Sequence, residues 1–119
     1  MSSQAIHQKS PEMENCIQSC LDCYRVCTET VAYCLQAGGK HAEANHIQVL
    51  LACAEICQTS ANFLLLGTPL HTQTCAACAV VCAQCAESCE QMGNDALMNA
   101  CAEVCRRCAE SCRQMVAAV

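Results

Sequence analysis

Cysteine is the residue type in this chain with the greatest capacity for chemistry, because 16 of the 119 residues are cysteines. Such a proportion is typical of a disulfide framework or a metal scaffold. Within four separate stretches, successive cysteines are three, four or seven residues apart. At about 100° per residue, those gaps place the cysteines of one stretch on a single face of an α-helix. The four groups are Cys16, Cys20, Cys23, Cys27 and Cys34; Cys53 and Cys57; Cys75, Cys78, Cys82, Cys85 and Cys89; and Cys101, Cys105, Cys108 and Cys112.

Aligned thiols have three interpretations: small apolar core residues, disulfide partners and metal ligands. Packing alone is a weak reason for so many cysteines in phase, since leucine and valine would fill a core as well. Residues four apart on a helix have Cβ atoms roughly 5 to 6 Å apart, whereas a disulfide requires about 3.5 to 4.5 Å. A soft metal ion bound by two sulfurs spans roughly 4 to 5 Å, which neighbouring thiolates can reach. The spacing therefore favours metal ligation.

Charge separates copper from zinc at such a site. Cu(I) prefers thiolate ligands and accepts two or three of them, and one Cu(I) per thiolate leaves a core close to neutral. Tetrahedral Zn(II) with four thiolates leaves about two negative charges per site, and no basic residue lies on the cysteine faces. We therefore expect the sixteen cysteines to bind multiple Cu(I) ions. A zinc or cadmium thiolate buffer and a structural, thiol-packed helical interaction module remain the alternatives.

Four Cys-x-x-Cys pairs match a redox motif, namely Cys20–Cys23, Cys75–Cys78, Cys82–Cys85 and Cys105–Cys108. Thioredoxin-type chemistry requires an exposed pair at a helix N-terminus that follows a strand. Most of these pairs are expected in the middle of a helix, and no strand pattern precedes them. We therefore predict a protein that is not an enzyme.

Two histidines share the phase of the cysteine faces. His46 lies seven residues before Cys53 and His71 lies four before Cys75, whereas His41 is rotated by about 120° from the same face. A histidine at the end of a bundle is as often a solvated or capping residue. Beside a column of soft ligands we nevertheless predict His46 and His71 as terminal copper ligands.

Two methionines fall at the same end of the predicted fold as His46. Met92 and Met98 flank the turn before the last helix, where the ordinary role of methionine is to fill gaps in a core. We predict that His46, Met92 and Met98 form a mouth at which weak, neutral ligands pass each ion to deeper thiolates.

Glycine and proline fall almost only between these stretches, and they predict four helices. Ser10-Pro11 begins the first helix, and Thr68-Pro69 repeats that signal before the third. The predicted helices run from Pro11 to Gly38, from near Lys40 to Leu66, from Thr68-Pro69 to Met92, and from a cap at Asn94 or Asp95 to about Val116. Short connections predict an all-α, antiparallel four-helix bundle with a cysteine-lined core. We divide the chain into a flexible N-terminal segment at residues 1–9 and a four-helix-bundle metal-storage domain at residues 10–119.

Charge and composition exclude several classes of partner. The chain has a net charge of -5, six Lys plus Arg and three aromatic residues, which disfavours nucleic acid as a partner. No signal sequence and no apolar run of about 18 residues stands out, so we expect no membrane partner and a cytoplasmic location. Thiols are normally kept reduced in that compartment.

The repeated Cys-x-x-x-Cys motif, the two-cysteine second helix, the Gly-Thr-Pro before the third and the closing Cys-Ala-Glu-Ser-Cys-Arg-Gln-Met resemble the bacterial copper storage proteins. The resemblance runs from about Cys16 to Met115. It implies cytosolic storage or sequestration of many Cu(I) ions by core cysteines, assembly into a homotetramer, and exchange with a copper chaperone or exporter. It also places the family's mouth ligands approximately at His41, His46, Met92 and Met98.

Overall fold

The structure, a computed structural model, describes residues 8–117, so most of the predicted flexible segment at residues 1–9 lies outside the described residues. Within residues 8–117 the chain forms four α-helices, one short 3₁₀ helix and no strand. The α-helices are α1 (Pro11–Ala37), α2 (Ala44–Leu66), α3 (His71–Glu90) and α4 (Ala96–Ala117), and the 3₁₀ helix is Gly39–Ala42. The predicted all-α fold is confirmed.

Each helix packs against two neighbours in a closed square: α1 on α2, α2 on α3, α3 on α4, and α4 back on α1. The short connections make successive helices antiparallel. The α1–α2 and α3–α4 connections lie together at one end of the bundle, which we call the His46 end. The α2–α3 connection lies at the other, the His71 end. Side chains on the four inner faces therefore meet along one central axis.

Local sequence signals fix several of the helix ends. The Ser10 side chain accepts a hydrogen bond of 3.1 Å from the backbone N–H of Met13, and Pro11 follows at the first helical position. Asp95 caps α4 in the same manner, since its Oδ1 accepts from the N–H groups of Leu97 and Met98 at 3.0 and 3.1 Å. Gly67 ends α2 in the left-handed conformation, with φ 73° and ψ 19°.

The second and third helices begin later than the sequence predicted. Residues near Lys40 form the 3₁₀ helix, and α2 begins only at Ala44. Thr68 and Pro69 form a turn in which Thr68 Oγ1 accepts from the N–H of Leu70 at 3.2 Å, so α3 begins at His71. The predicted helix three therefore starts too early, and it also ends too late, because α3 stops at Glu90.

The expectation that no stretch is apolar enough to cross a membrane is wrong for α2. Over an 18-residue window of Ala44–Leu66 the mean hydropathy is 1.6, so length and composition alone would allow a membrane span. In the bundle, α2 instead packs its buried residues, Cys53 and Cys57 among them, against α1 and α3.

Candidate metal centre

All sixteen cysteines are buried on the inner faces of the helices, each with 0% of its surface exposed, and all are free thiols. The three, four or seven-residue spacing produces this result because it keeps every cysteine of one helix turned toward the bundle axis. The predicted cysteine-lined core is confirmed. Charged side chains lie outside it, and pairs such as Arg106–Glu90 and Arg113–Glu110 are both exposed.

The inner side chains form stacked layers with one corner from each helix. In the central layer, Cys23 Sγ lies 3.7 Å from the sulfurs of both Cys53 and Cys105, and Cys53 Sγ lies 3.6 Å from that of Cys82. Steps of three, four or seven residues along each helix generate the other layers from this register. Sulfur contacts define three further layers: Cys16, Cys75 and Cys112; Cys20, Cys57, Cys78 and Cys108; and Cys27, Cys85 and Cys101. Extending the same register along the helices assigns Ser60 and Leu50 to the α2 corners of the two three-thiol layers. It assigns Met13, Leu64, His71 and Met115 to the His71 end, and Thr30, His46, Cys89 and Met98 to the His46 end.

Thiols of adjacent layers also touch from the Cys16 layer to the Cys27 layer, so the column is continuous over those four layers. Cys57 Sγ lies 3.4 Å from Cys82 Sγ in the next layer, and Cys78 Sγ lies 3.6 Å from the same sulfur. The neighbouring pairs of layers are joined in the same way. Cys20 Sγ lies 3.8 Å from Cys112 Sγ, and Cys27 Sγ lies 3.6 Å from Cys105 Sγ. An ion held at one layer therefore has the thiols of the next layer within reach.

The closest sets of sulfurs overlap rather than forming separate sites. Four groups of four thiols have all their sulfurs within 4.8 Å of one another, and Cys23, Cys53, Cys57 and Cys82 make up one of them. Cys23 and Cys53 recur in a second group, and Cys57 and Cys82 recur in a third. Shared thiols cannot all serve independent tetrahedral ions. The arrangement instead suits thiolates that bridge neighbouring ions of low coordination number.

Two of the core thiols, Cys34 and Cys89, have raised pKa values, which keeps them protonated in the metal-free chain. Burial raises the pKa of Cys34 to about 11. The neighbouring thiols Cys101 and Cys85, together with burial, raise the pKa of Cys89. A metal ion that binds these two thiols must therefore displace their protons, which makes its affinity dependent on pH.

At the His46 end of the column, three soft donors converge. Cys34 Sγ lies 3.5 Å from His46 Nε2 and 3.8 Å from Met98 Sδ. His46 and Met98 are 3% and 0% exposed. The other ring nitrogen, Nδ1, lies 2.6 Å from Ser88 Oγ, which orients the ring. Burial lowers the pKa of His46, which favours the neutral imidazole that a metal requires.

The structure brings His46 and Met98 together but places the other predicted mouth residues elsewhere. Met92 is half-buried and packs against the core from the edge. His41 Nε2 lies 2.9 Å from Asp95 Oδ2, and that same oxygen accepts a 2.7 Å hydrogen bond from Tyr33 Oη. These donors and the N-cap contacts hold the pKa of Asp95 at about 2, with the Tyr33 hydrogen bond as the main cause. His41 thus lies in a polar cluster that joins α1, the 3₁₀ helix and α4.

His71 lies at the opposite end of the column, in the layer that also contains Met13, Leu64 and Met115. Its Nδ1 is 2.8 Å from the carbonyl oxygen of Thr68, and the residue is half-buried. The sequence predicts Cys34 as a core thiol but gives no sign that it pairs with His46. Ser88 lies outside the a and d positions of the heptad, so spacing gives no signal for it.

The fold and the site together define a helical bundle protein whose core is a continuous column of metal-binding thiols. A sequence model of the family described as copper storage protein matches residues 9–117. The chain belongs to the copper storage protein family.

Solved structures show the same fold at substantial sequence identity. A protein from Nitrosospira multiformis is 46% identical, with a TM-score of 0.86 over 91% of this chain and 97% of that chain. The Cu(I)-bound copper storage protein BsCsp3 from Bacillus subtilis is 31% identical, with a TM-score of 0.82 over 88% and 98%. A cytosolic copper storage protein from Streptomyces lividans, described with five coppers, is 29% identical, with a TM-score of 0.79 over 91% and 94%.

Proposed function

We propose that this chain stores many Cu(I) ions in the cytosol and that its sixteen core cysteines are the ligands. The observation that carries the proposal is the continuous thiol column, with sulfur separations of 3.4 to 4.0 Å within and between layers. Bonds of about 2.3 Å to two or three sulfurs place those sulfurs roughly 4 to 4.6 Å apart. Small side-chain adjustments are enough to admit the ions.

Charge balance supports copper as the cargo. Each Cu(I) that enters displaces about one thiol proton to solvent, and the resulting ion–thiolate pairs are neutral overall. Neutrality matters because the cysteines are fully buried and the arginines of the described residues lie on the outer surface. A column filled by divalent ions with four thiolates each would retain negative charge in that dry interior. Cu(I) therefore fits the core better than zinc or cadmium.

The His46 end is the proposed point at which copper enters. Cys34, His46 and Met98 offer one thiol, one neutral imidazole and one thioether at the end of the column. Weaker neutral donors hold an ion transiently and release it to the thiolates of the neighbouring layers. We assign Met92 a supporting position at the same end. Because His41 is engaged with Asp95, we do not assign it a ligand role in this conformation.

Several further aspects of the function are part of the same proposal. The chain acts by retention and release of ions and catalyses no reaction. A copper chaperone or exporter supplies or removes the ions. Assembly into a homotetramer is supported by exposed apolar side chains on the outside of the bundle, such as Val80 and Leu97 at 61% and 54% exposure.

Anaerobic titration with Cu(I), under competition from a strong chelator, tests the storage function. We expect about as many tightly held ions as there are cysteines, and we expect Cu(I) to displace any bound Zn(II). Retention of only about four ions, with Zn(II) not displaced, would instead support the zinc buffer. If no metal is held tightly, the thiols serve packing alone.

A further inference from the structure

Ser60 is an unexplained polar group in the core. It is 0% exposed, and within residues 8–117 its Oγ is the one buried side-chain nitrogen or oxygen without a hydrogen-bond partner. An unpaired buried hydroxyl is unfavourable, and alanine would fill the same position without that penalty. The Ser60 hydroxyl therefore needs a hydrogen-bond partner that the metal-free chain does not supply.

The register of the bundle places Ser60 at a corner of a thiol layer. Cys23, Cys53, Cys82 and Cys105 are in contact across the central layer. One heptad from each of them, toward the His71 end, lie Cys16, Ser60, Cys75 and Cys112. The three cysteines of this set have their sulfurs within 4.8 Å of one another. Ser60 is thus the α2 corner of a layer with three thiols.

A second layer has the same composition except at the α2 corner. Cys27, Cys85 and Cys101 lie together, with Cys27 Sγ 4.0 Å from each of the other two sulfurs, and the fourth corner is Leu50. Leu50 is also fully buried, but it offers no donor. The two three-thiol layers therefore differ in whether the residue that the register assigns to the α2 corner carries a hydroxyl.

We propose that Ser60 is a positioning residue for the Cys16–Cys75–Cys112 layer and that its hydroxyl donates a hydrogen bond to a thiolate only when copper is bound. This inference rests on the proposed storage function. When Cu(I) binds, the thiol proton leaves to solvent and the sulfur becomes a charged acceptor, which a neighbouring O–H stabilises. The hydroxyl oxygen is not itself a ligand, because Cu(I) prefers sulfur and nitrogen donors.

Replacement of Ser60 by alanine should therefore have opposite effects in the two states. The metal-free Ser60→Ala chain should unfold at a higher denaturant concentration than the wild type, because an unpaired hydroxyl has been removed. The loaded variant should lose on the order of tenfold in affinity for the ions of this layer, as expected for loss of a hydrogen bond to a charged acceptor. Ser60→Thr retains the donor and should restore that affinity.

Leu50→Ala is the matched control, since it truncates the α2 corner of the other three-thiol layer without removing a donor. It should destabilise the metal-free chain through the cavity it leaves, with no preferential loss of copper from the Cys16–Cys75–Cys112 layer. Ser60→Cys completes a fourth thiol corner and should raise the number of retained ions by about one.

Two anaerobic measurements on the full chain test the role of Ser60. Chelator competition measures the affinity for copper, and denaturant unfolding measures the stability of the metal-free chain. If the wild type retains about one ion per cysteine but Ser60→Ala retains them equally tightly, the inference fails and the storage function stands. A metal-free Ser60→Ala chain that is less stable than the wild type also overturns it, since the hydroxyl would then have a partner without copper. If the wild type itself retains few ions, the storage function fails first.

Discussion

Replacement of His46 by leucine tests how copper reaches the thiol column. Leucine fills a similar volume at this buried position but removes both ring nitrogens. His46 Nε2 is one of three donors at the His46 end, beside Cys34 Sγ and Met98 Sδ. The variant should load Cu(I) more slowly than the wild type while its final capacity stays nearly the same.

The size of the effect follows from what the structure leaves in place. Two of the three donors remain, and loss of one ligand or of its orienting partner typically lowers metal affinity by about 10- to 100-fold. A tenfold slower capture corresponds to about 1.4 kcal/mol in the barrier. The thiol layers are untouched, so the capacity should fall by no more than about one ion of roughly sixteen if one Cu(I) accompanies each thiolate. Ser88 Oγ also loses its 2.6 Å partner, and because Ser88 is half-buried that loss should lower the free energy of unfolding by only about 0.5 to 1.5 kcal/mol.

Loading can be followed without oxygen by the rate at which the chain removes Cu(I) from a coloured chelator complex. His71→Leu is the matched control, because His71 is a half-buried histidine in phase with the cysteines at the opposite end. It should load as fast as the wild type. A His46→Leu chain that loads at the wild-type rate would refute the mouth assignment, and a larger slowing in His71→Leu would place the entrance at the other end.

Two further predictions concern stability. Tyr33 and the other donors hold the pKa of Asp95 at about 2, below its ordinary value near 4, so the carboxylate's contribution is complete above about pH 5 and is lost as the pH falls toward 2. The melting temperature of Asp95→Asn should therefore lie below that of the wild type near neutral pH and match it near pH 2; a gap that widens in acid would contradict this sign. Gly67 ends α2 at φ 73°, so Gly67→Ala should lower the free energy of unfolding by about 1 to 2 kcal/mol in a denaturant titration, and an unchanged midpoint would exclude strain there.

The cysteine column could be predicted from the sequence because the cysteines recur at a regular helical spacing. A gap of three, four or seven residues sets the direction of a side chain around the helix axis whatever the helix packs against. The spacing alone therefore predicts that Cys16 and Cys34 lie on one face. The same rule, extended past the cysteines, identifies Ser60 and Leu50 as core positions, seven after Cys53 and seven before Cys57.

The arrangement of side chains at the His46 end could be predicted only in part, because it depends on contacts between segments distant in the chain. His41 and Asp95 are 54 residues apart and meet only once the α1–α2 and α3–α4 connections lie side by side. A capping signal at Asp95 was visible, but nothing in the sequence showed that its second oxygen accepts from Tyr33. The start of α3 differs from the prediction for a local reason. The sequence predicts it at Thr68-Pro69, whereas the side chain of Thr68 accepts a hydrogen bond from the N–H of Leu70, two residues later, and stabilises a turn.

The arrangement of the layers implies a direction for filling. Cys34 lies beyond the last layer, and the sulfur it touches is the thioether of Met98 at 3.8 Å. Deeper in the column, sulfurs such as Cys27 and Cys105 are in direct contact at 3.6 Å. On the proposed route, an ion that enters at the His46 end passes weaker donors once, whereas each later transfer connects two thiolates of similar affinity. Early ions should accumulate in the interior layers, and the site at Cys34 should remain occupied only when those layers are full.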